Sequence, residues 1–181
     1  MIFITFISFI ILLRTGELLL SKKNEKWLLQ HKAVEYGKKH YPFIVALHVL
    51  FIISLITEYS TQSKSTFSLF FFIFYFLLLI SKTWVIFSLG KFWNTKIYHI
   101  PDTPSIKKGP YKYCKHPNYL IVVAEVAVIP LVFHLYCTAI VFTVLNAIIL
   151  WVRITEENKA LDKHIQLHLV GIEKVNVAAI H

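Results

Sequence analysis

The sequence predicts an all-α integral membrane protein of about five transmembrane helices, the last two paired as a short hairpin. Three observations predict it. Of 181 residues, 56% are hydrophobic and 16% charged, against about 45–50% and about 25% in soluble domains. The apolar surplus is gathered into long runs instead of being spread along the chain. The lysines fall in alternate gaps between those runs.

Residues 1–20 carry only Arg14 and Glu17 as charges, 42–60 only Glu58, 66–90 only Lys82, 117–134 only Glu125, and 135–152 none. A bilayer core takes about 20 apolar residues of helix, with a range of about 17–25. The expected spans are therefore 1–20, 42–60, 66–90, 117–134 and 135–153, the last two being short. No positive region precedes the first run and no small-residue cleavage site follows it, so it reads as a retained helix and not a signal peptide. Arg14 and Glu17 lie three apart near the end of this span and can pair on one face. The segment 21–41 mixes Trp27, Leu28, Leu29, Val34 and Tyr36 with lysines, and reads as an interfacial helix or loop along the membrane surface. Lys82 sits about two turns from the end of span three, within snorkelling reach of the interface. The loop 91–116 contains Pro101, Pro104, Gly109 and Pro110 and is expected to be irregular. Pro117 suits the first position of the fourth helix. Glu125, inside that span, is an intramembrane acid and calls for a partner, Lys82 or Arg14, with a site role as the alternative. No repeat interrupts the chain, which reads as one domain over 1–181.

Formal net charge is +9, and its placement sets the topology. Six lysines lie between spans one and two, six between spans three and four, and only Lys64 between spans two and three. The positive-inside rule then puts the N-terminus outside, and loops 21–41 and 91–116 with the tail 154–181 in the cytosol. These lysines are expected to meet anionic membrane lipids; nucleic-acid binding would need a soluble basic face. Cys114 and Cys137 fall on opposite sides of the membrane and should not pair. The nine His residues lack the close spacing of a zinc site, so no metal is expected.

The hairpin returns the chain to its starting side. It brings Lys115-His116-Pro117-Asn118-Tyr119 at its entrance to the depth of Arg153-Ile154-Thr155-Glu156-Glu157 at its exit. Arg153 and Glu157, four apart, share a helical face. The N-terminus of the fourth helix suits a carboxylate, while Glu157 suits a cationic group, so a zwitterionic ligand fits better than a simple anion. The plainer alternative is a solvated helix end and a capping histidine.

These residues resemble the isoprenylcysteine carboxyl methyltransferase family. Its pattern is G-x-Y, then R-H-P-x-Y, and after a helical hairpin R-I-x-x-E-E-x-x-L. Here Gly109-Pro110-Tyr111, Lys115-His116-Pro117-Asn118-Tyr119 and Arg153-Ile154 with Glu157 and Leu161 stand in that order. The N-terminal half is similar to small bacterial members through Arg14-Thr15-Gly16-Glu17, Asn24, Trp27, Glu35-Tyr36-Gly37, His40-Tyr41 and His48. The likeness covers about residues 10–165 and points within the family to bacterial proteins that O-methylate alkylpyrones. It implies S-adenosylmethionine as methyl donor, with Tyr111, His116, Pro117, Asn118, Tyr119 and Glu157 at cofactor-binding places. Thr103, Ser105 and Ile106 match a further cofactor stretch less closely, and Arg153 falls where an arginine contacts the acceptor. Lys115 replaces the family arginine, Asn158 stands where a second Glu is usual, and Thr103 stands where eukaryotic enzymes carry His.

The resulting expectation is a membrane O-methyltransferase acting on a lipophilic small molecule, in which Arg153 holds the acceptor oxygen and Glu157 orients Arg153 or binds the cofactor. A prenylcysteine-type carboxyl methyltransferase and a nicotinamide-dependent membrane reductase are the alternatives, although no glycine-rich phosphate loop is present. The sequence leaves the oligomeric state open.

Overall fold

The computed structural model describes residues 1–38, 41–62, 66–101, 103 and 107–178, with side chains to residue 158. Helix α1 is Ile2–Gln30, strand β1 Val34–Tyr36, α2 Tyr41–Thr61, α3 Leu69–Leu89, β2 Ile97–His99, α4 Pro117–Leu131 and α5 Tyr136–Ala178. Short 3-10 turns occupy Gly90–Phe92 and Gly109–Lys112. Four of the helices, α1, α2, α3 and α5, are long and apolar enough to cross a membrane. The chain is a multi-pass membrane protein built from helices, as expected.

The fourth helix is the shortest of the five. With 15 residues, α4 spans about 22 Å at 1.5 Å per residue, short of the roughly 30 Å hydrocarbon core. It starts at Pro117 and ends just past Pro130, beyond which Val132, Phe133 and Leu135 are buried at 0%, 3% and 0% exposure. The hairpin tip thus lodges inside the protein. It is tied to the α2–α3 connection by Ser68 N donating to Val132 O (2.9 Å), Gln62 Nε2 to His134 O (3.1 Å) and a Thr66 Oγ1–His134 Nδ1 bond of 2.9 Å. Glu58 of α2 completes the anchorage. Its two oxygens accept from Cys137 N (3.0 Å) and Thr138 N (2.7 Å), satisfying free amides and the positive dipole end of α5 from outside that helix.

The segment 21–41 is helical over its first ten residues. No proline or glycine interrupts residues 17–30, and α1 continues without a break to Gln30, as 29 residues or about 43 Å of helix. It continues ten residues past the expected span end at residue 20. The chain then reverses through Lys32 at φ 60°, and β1 pairs antiparallel with β2, Val34 opposite His99 and Tyr36 opposite Ile97. Among its described residues the connection 91–116 is otherwise irregular, as Pro101 and Pro110 favour; Pro104 lies outside the described residues. At the other end of the chain, the expected tail begins as a continuation of α5.

The core lies where α1, α2, α4 and α5 meet: Phe3, Phe6 and Ile10 against Phe51, Leu55, Ile129, Phe133 and Phe142. Below the lysine-rich end, four charges join α1, α3 and α4. Arg14 contacts Glu17 at 2.9 Å and Glu125 at 3.1 Å, and Lys82 contacts Glu125 at 2.9 Å and Glu17 at 2.5 Å. Glu125 therefore pairs with both expected partners. Lys82 does not snorkel: it is 3% exposed, because two carboxylates within reach offset its desolvation. Both cysteines are free.

Candidate functional site

A cavity of about 570 Å³ opens at the lysine-rich end of the bundle, walled by β2, the loop before α4, the start of α4 and residues 153–157 of α5. Its size falls in the range of small-molecule sites. The side chains on its α4–α5 wall form one chain of contacts. Arg153 Nε donates to the Tyr119 hydroxyl at 2.9 Å, and that hydroxyl donates to Glu157 Oε2 at 2.7 Å. His116 Nδ1 lies 3.8 Å from the same carboxylate oxygen. The His116 ring stacks on Tyr119 at 5.1 Å and 4°, and the Arg153 guanidinium stands 5.2 Å from the Tyr119 ring centre. Arg153 and Glu157 do share a face, but the Tyr119 hydroxyl stands between them and couples them.

Local sequence sets this geometry. Pro117 occupies the first turn of α4 with His116 as its cap, so Tyr119 projects within one turn of the helix start beside α5. Gly109 has φ +53°, and a Cβ there would sit 2.2 Å from Ser88 Oγ and 3.2 Å from Trp84 Nε1. Only glycine lets this loop press onto the end of α3 and bring Tyr111 to the cavity. Lys115 Nζ donates to Asn158 Oδ1 at 2.6 Å, a second tie between the two ends of the hairpin.

The opposite wall is fastened by the projecting part of α1. Asn24, 5% exposed, donates to Trp93 O at 2.7 Å and Gly90 O at 3.2 Å. Ser21 Oγ bonds Asn94 Oδ1 at 3.0 Å and Thr95 Oγ1 at 2.8 Å. Glu25 accepts from Lys96 Nζ and from the Tyr98 hydroxyl, both at 2.7 Å. Those bonds, that from Lys96 first, hold the Glu25 carboxyl below its usual range, and Glu25 in turn raises Lys96. The sequence marked Asn24 only through the family likeness, and it marked none of Ser21, Trp93, Asn94 or Thr95. A polar pair in the otherwise helix-favouring stretch 21–24 is the signal that was there to find.

Thr103, Tyr111, His116, Asn118, Tyr119, Arg153 and Glu157 all line the cavity. Pro117 is buried in the helix start and does not line it. Ser105 and Ile106 lie outside the described residues. Three buried polar atoms on lining residues have no hydrogen-bond partner: Trp93 Nε1, His116 Nε2 and Asn118 Oδ1. An orphaned buried donor or acceptor carries a desolvation penalty of about 1–3 kcal/mol. Burial lowers the His116 pKa against the opposing pull of Glu157, so its imidazole is neutral near pH 7. Burial, reinforced by the Glu157 charge, raises the Tyr111 phenol. Glu157 is the one acid lining the cavity among the described residues, facing Arg153 and several lysines. The arrangement suits a ligand with an anionic group, one cationic group and uncharged polar atoms.

Arg153 also lines a second, narrow cleft with Tyr41 and Ile44 of α2, Glu35 and Glu156. It therefore stands between the cavity and the α2–α5 seam.

Comparison with known proteins gives this site its context. A sequence profile of the isoprenylcysteine carboxyl methyltransferase family matches residues 68–163, more than half of the chain and all of the α4–α5 wall. The chain is 39% identical to the uncharacterised protein YpbQ of Bacillus subtilis (strain 168), over 87% of this chain and 95% of that one. It is 31% identical to an uncharacterised protein of Haemophilus influenzae (strain ATCC 51907 / DSM 11121 / KW20 / Rd), over 84% and 91% of the two chains. No solved structure matches it. With its helices apolar enough to cross a bilayer and its hairpin-end cavity within the matched region, the chain belongs to the isoprenylcysteine carboxyl methyltransferase family, membrane methyltransferases that take their methyl group from S-adenosylmethionine.

Proposed function

We propose that this protein binds S-adenosylmethionine in the hairpin-end cavity and O-methylates a lipophilic acceptor, an alkylpyrone-like polyketide with an enolic hydroxyl. The observation that carries the proposal is the continuous contact from His116 through Glu157 and Tyr119 to Arg153, facing a cavity that leaves three buried polar atoms without partners. When bound, the cofactor supplies a methyl group activated by its sulfonium sulfur. His116 Nε2 and Asn118 Oδ1 would take its uncharged polar groups, and Glu157 its ammonium. Arg153 holds the acceptor oxygen as an anion. Nε is engaged by Tyr119, which fixes the guanidinium plane and turns the two terminal nitrogens to a two-point grip on oxygen. An enolic hydroxyl is acidic enough that no separate base is required. The residues contribute alignment and exclusion of water, which dominate a displacement of this kind.

Placement beside the bilayer supports a lipid-like acceptor. Arg153 stands at the α2–α5 seam, so an acceptor tail can lie among apolar helices while its head reaches the guanidinium. The lysine distribution of six and six against one supports a cytosolic cavity supplied with cofactor from the cytosol and an outer N-terminus.

Calorimetry on the purified protein in detergent tests the cofactor: S-adenosylhomocysteine should bind, and His116→Ala should weaken it. Binding of a nicotinamide cofactor instead would move the protein to reductase chemistry. Labelled S-adenosylmethionine offered with an alkylpyrone and with a farnesylated cysteine analogue tests the acceptor. Methylation of the cysteine analogue alone would replace the enol by a carboxylate at Arg153 and leave the methyltransferase reading standing. Cysteines introduced at Lys64 and Lys108 test orientation, the first labelling from outside intact cells and the second only after permeabilisation.

A further inference from the structure

Trp93 is absent from the contacts that organise the α4–α5 wall, yet it is one of the most fixed residues at the cavity. It is 3% exposed. Its backbone N donates to Gly90 O at 3.1 Å, and its carbonyl accepts from the buried Asn24 at 2.7 Å. The indole has nothing but a donor to offer, and that donor, Nε1, is buried without a partner on a residue lining the cavity. A fixed ring that keeps an unpaired N–H buried at the wall of a cavity is suited to recognition.

The surroundings say what it recognises. Leu89 and Phe92 flank it in the chain, and Leu28, one turn along α1 from Asn24, lines the cavity with them. Apolar and aromatic side chains thus surround Trp93 on one side, with Asn94 and Lys96 following it in the lining, whereas the α4–α5 wall carries Arg153, Glu157, His116 and Asn118. Leu28 stands eight residues beyond Leu20 on an unbroken helix, about 12 Å past the expected end of the apolar span. The ligand part that fits is planar, uncharged, aromatic and able to accept one hydrogen bond.

We propose that Trp93 reads the purine base of the bound cofactor, its indole N–H donating to a ring nitrogen, so that it is a specificity-determining residue on the wall opposite the hairpin. This rests on the cofactor reading above. Asn24 and the projecting turns of α1 are then part of the binding apparatus, since they hold the backbone of Trp93 in place.

Calorimetry on the full chain in detergent tests the proposal. The probes are S-adenosylhomocysteine and the analogues in which each purine ring nitrogen in turn is replaced by a carbon bearing hydrogen. Wild type should bind one analogue about three- to tenfold more weakly than the parent, the range expected for one net hydrogen bond. In Trp93→Phe, which keeps a ring and removes the donor, the parent should weaken by the same factor and the difference between parent and analogue should vanish. That ratio is taken within each protein, so a fraction of unfolded variant does not affect it. A difference that persists in Trp93→Phe, or a wild type that treats every analogue like the parent, overturns the assignment while leaving the cofactor site in place. A wild type that binds no S-adenosylhomocysteine defeats the cofactor reading itself, and the Trp93 assignment with it.

Discussion

Tyr119→Phe isolates the one atom on which the hairpin-end wall depends. The substitution keeps the ring that stacks on His116 and lies beneath Arg153, and removes a hydroxyl bonded to Arg153 at 2.9 Å and to Glu157 at 2.7 Å. Each bond has an ionised partner, and hydrogen bonds to charged groups contribute about 1.5–3 kcal/mol. The loss is smaller than the sum of two. Arg153 and Glu157 lie four apart on α5 and can re-form a direct pair worth about 0.3–0.5 kcal/mol, and the site is partly open to solvent. A net loss of about 1.5–3 kcal/mol corresponds to roughly a 10- to 150-fold fall in turnover if the alignment of Arg153 is what the hydroxyl provides. Steady-state methylation at saturating acceptor measures it, alongside S-adenosylhomocysteine binding by calorimetry. In Glu157→Gln and in the double variant, the two losses should be strongly non-additive because they break the same chain. Turnover within twofold of wild type in Tyr119→Phe would refute the coupling through the phenol, and additive losses would show that Tyr119 and Glu157 act separately.

Three further substitutions test the elements that hold the wall. Glu58→Ala leaves the first amides of α5 without their carboxylate cap and should lower stability by about 1–2 kcal/mol, read by thermal unfolding in detergent; an unchanged midpoint would remove Glu58 as the cap. Gly109→Ala forces a Cβ against Ser88 at a positive φ, so the Tyr111 loop must shift and S-adenosylhomocysteine affinity should drop, and equal affinity would show that the loop does not shape the site. His116 has a folded pKa below 6.5, so as pH falls through about 6.5 the unfolded chain takes up a proton that the folded chain does not, and stability declines. The fall in unfolding temperature between about pH 7.5 and about pH 5.5 should therefore be smaller in His116→Gln, and an identical fall in the two proteins would assign the proton elsewhere.

The apolar runs located α2, α3 and the start of α5 closely because burial in lipid demands length and apolarity, both of which are local properties. Convergence of His116 and Tyr119 with Arg153 and Glu157 was legible for a related reason, since a hairpin equalises depth at its two ends. What the sequence concealed depends on groups far apart in the chain. The lysines of 21–30 look like an interfacial face, yet nothing there breaks a helix, and α1 runs on because Ser21, Asn24 and Glu25 find partners in residues 90–98. Glu58 reads as an exposed charge at the end of a span until α5 brings two backbone amides to it. Lys82 would snorkel if it stood alone, and stays buried because Glu17 and Glu125 arrive from two other helices. Trp93 carries no motif at all; its significance lies in a donor left unpaired by packing.

Two departures from the family pattern explain one another in the structure. Lys115 stands where the family carries arginine and Asn158 where it carries a second glutamate, and these residues bond each other at 2.6 Å. This ammonium–amide hydrogen bond tethers the start of α4 to α5. The described lining holds Glu157 as its one acid, against Arg153, Lys96, Lys107, Lys112 and Lys115. A ligand ammonium has a single carboxylate to meet, and that carboxylate is also the acceptor of the Tyr119 hydroxyl. In the proposed site, binding of a ligand ammonium and orientation of Arg153 would pass through the same oxygen, which would couple occupancy of the cavity to the posture of Arg153.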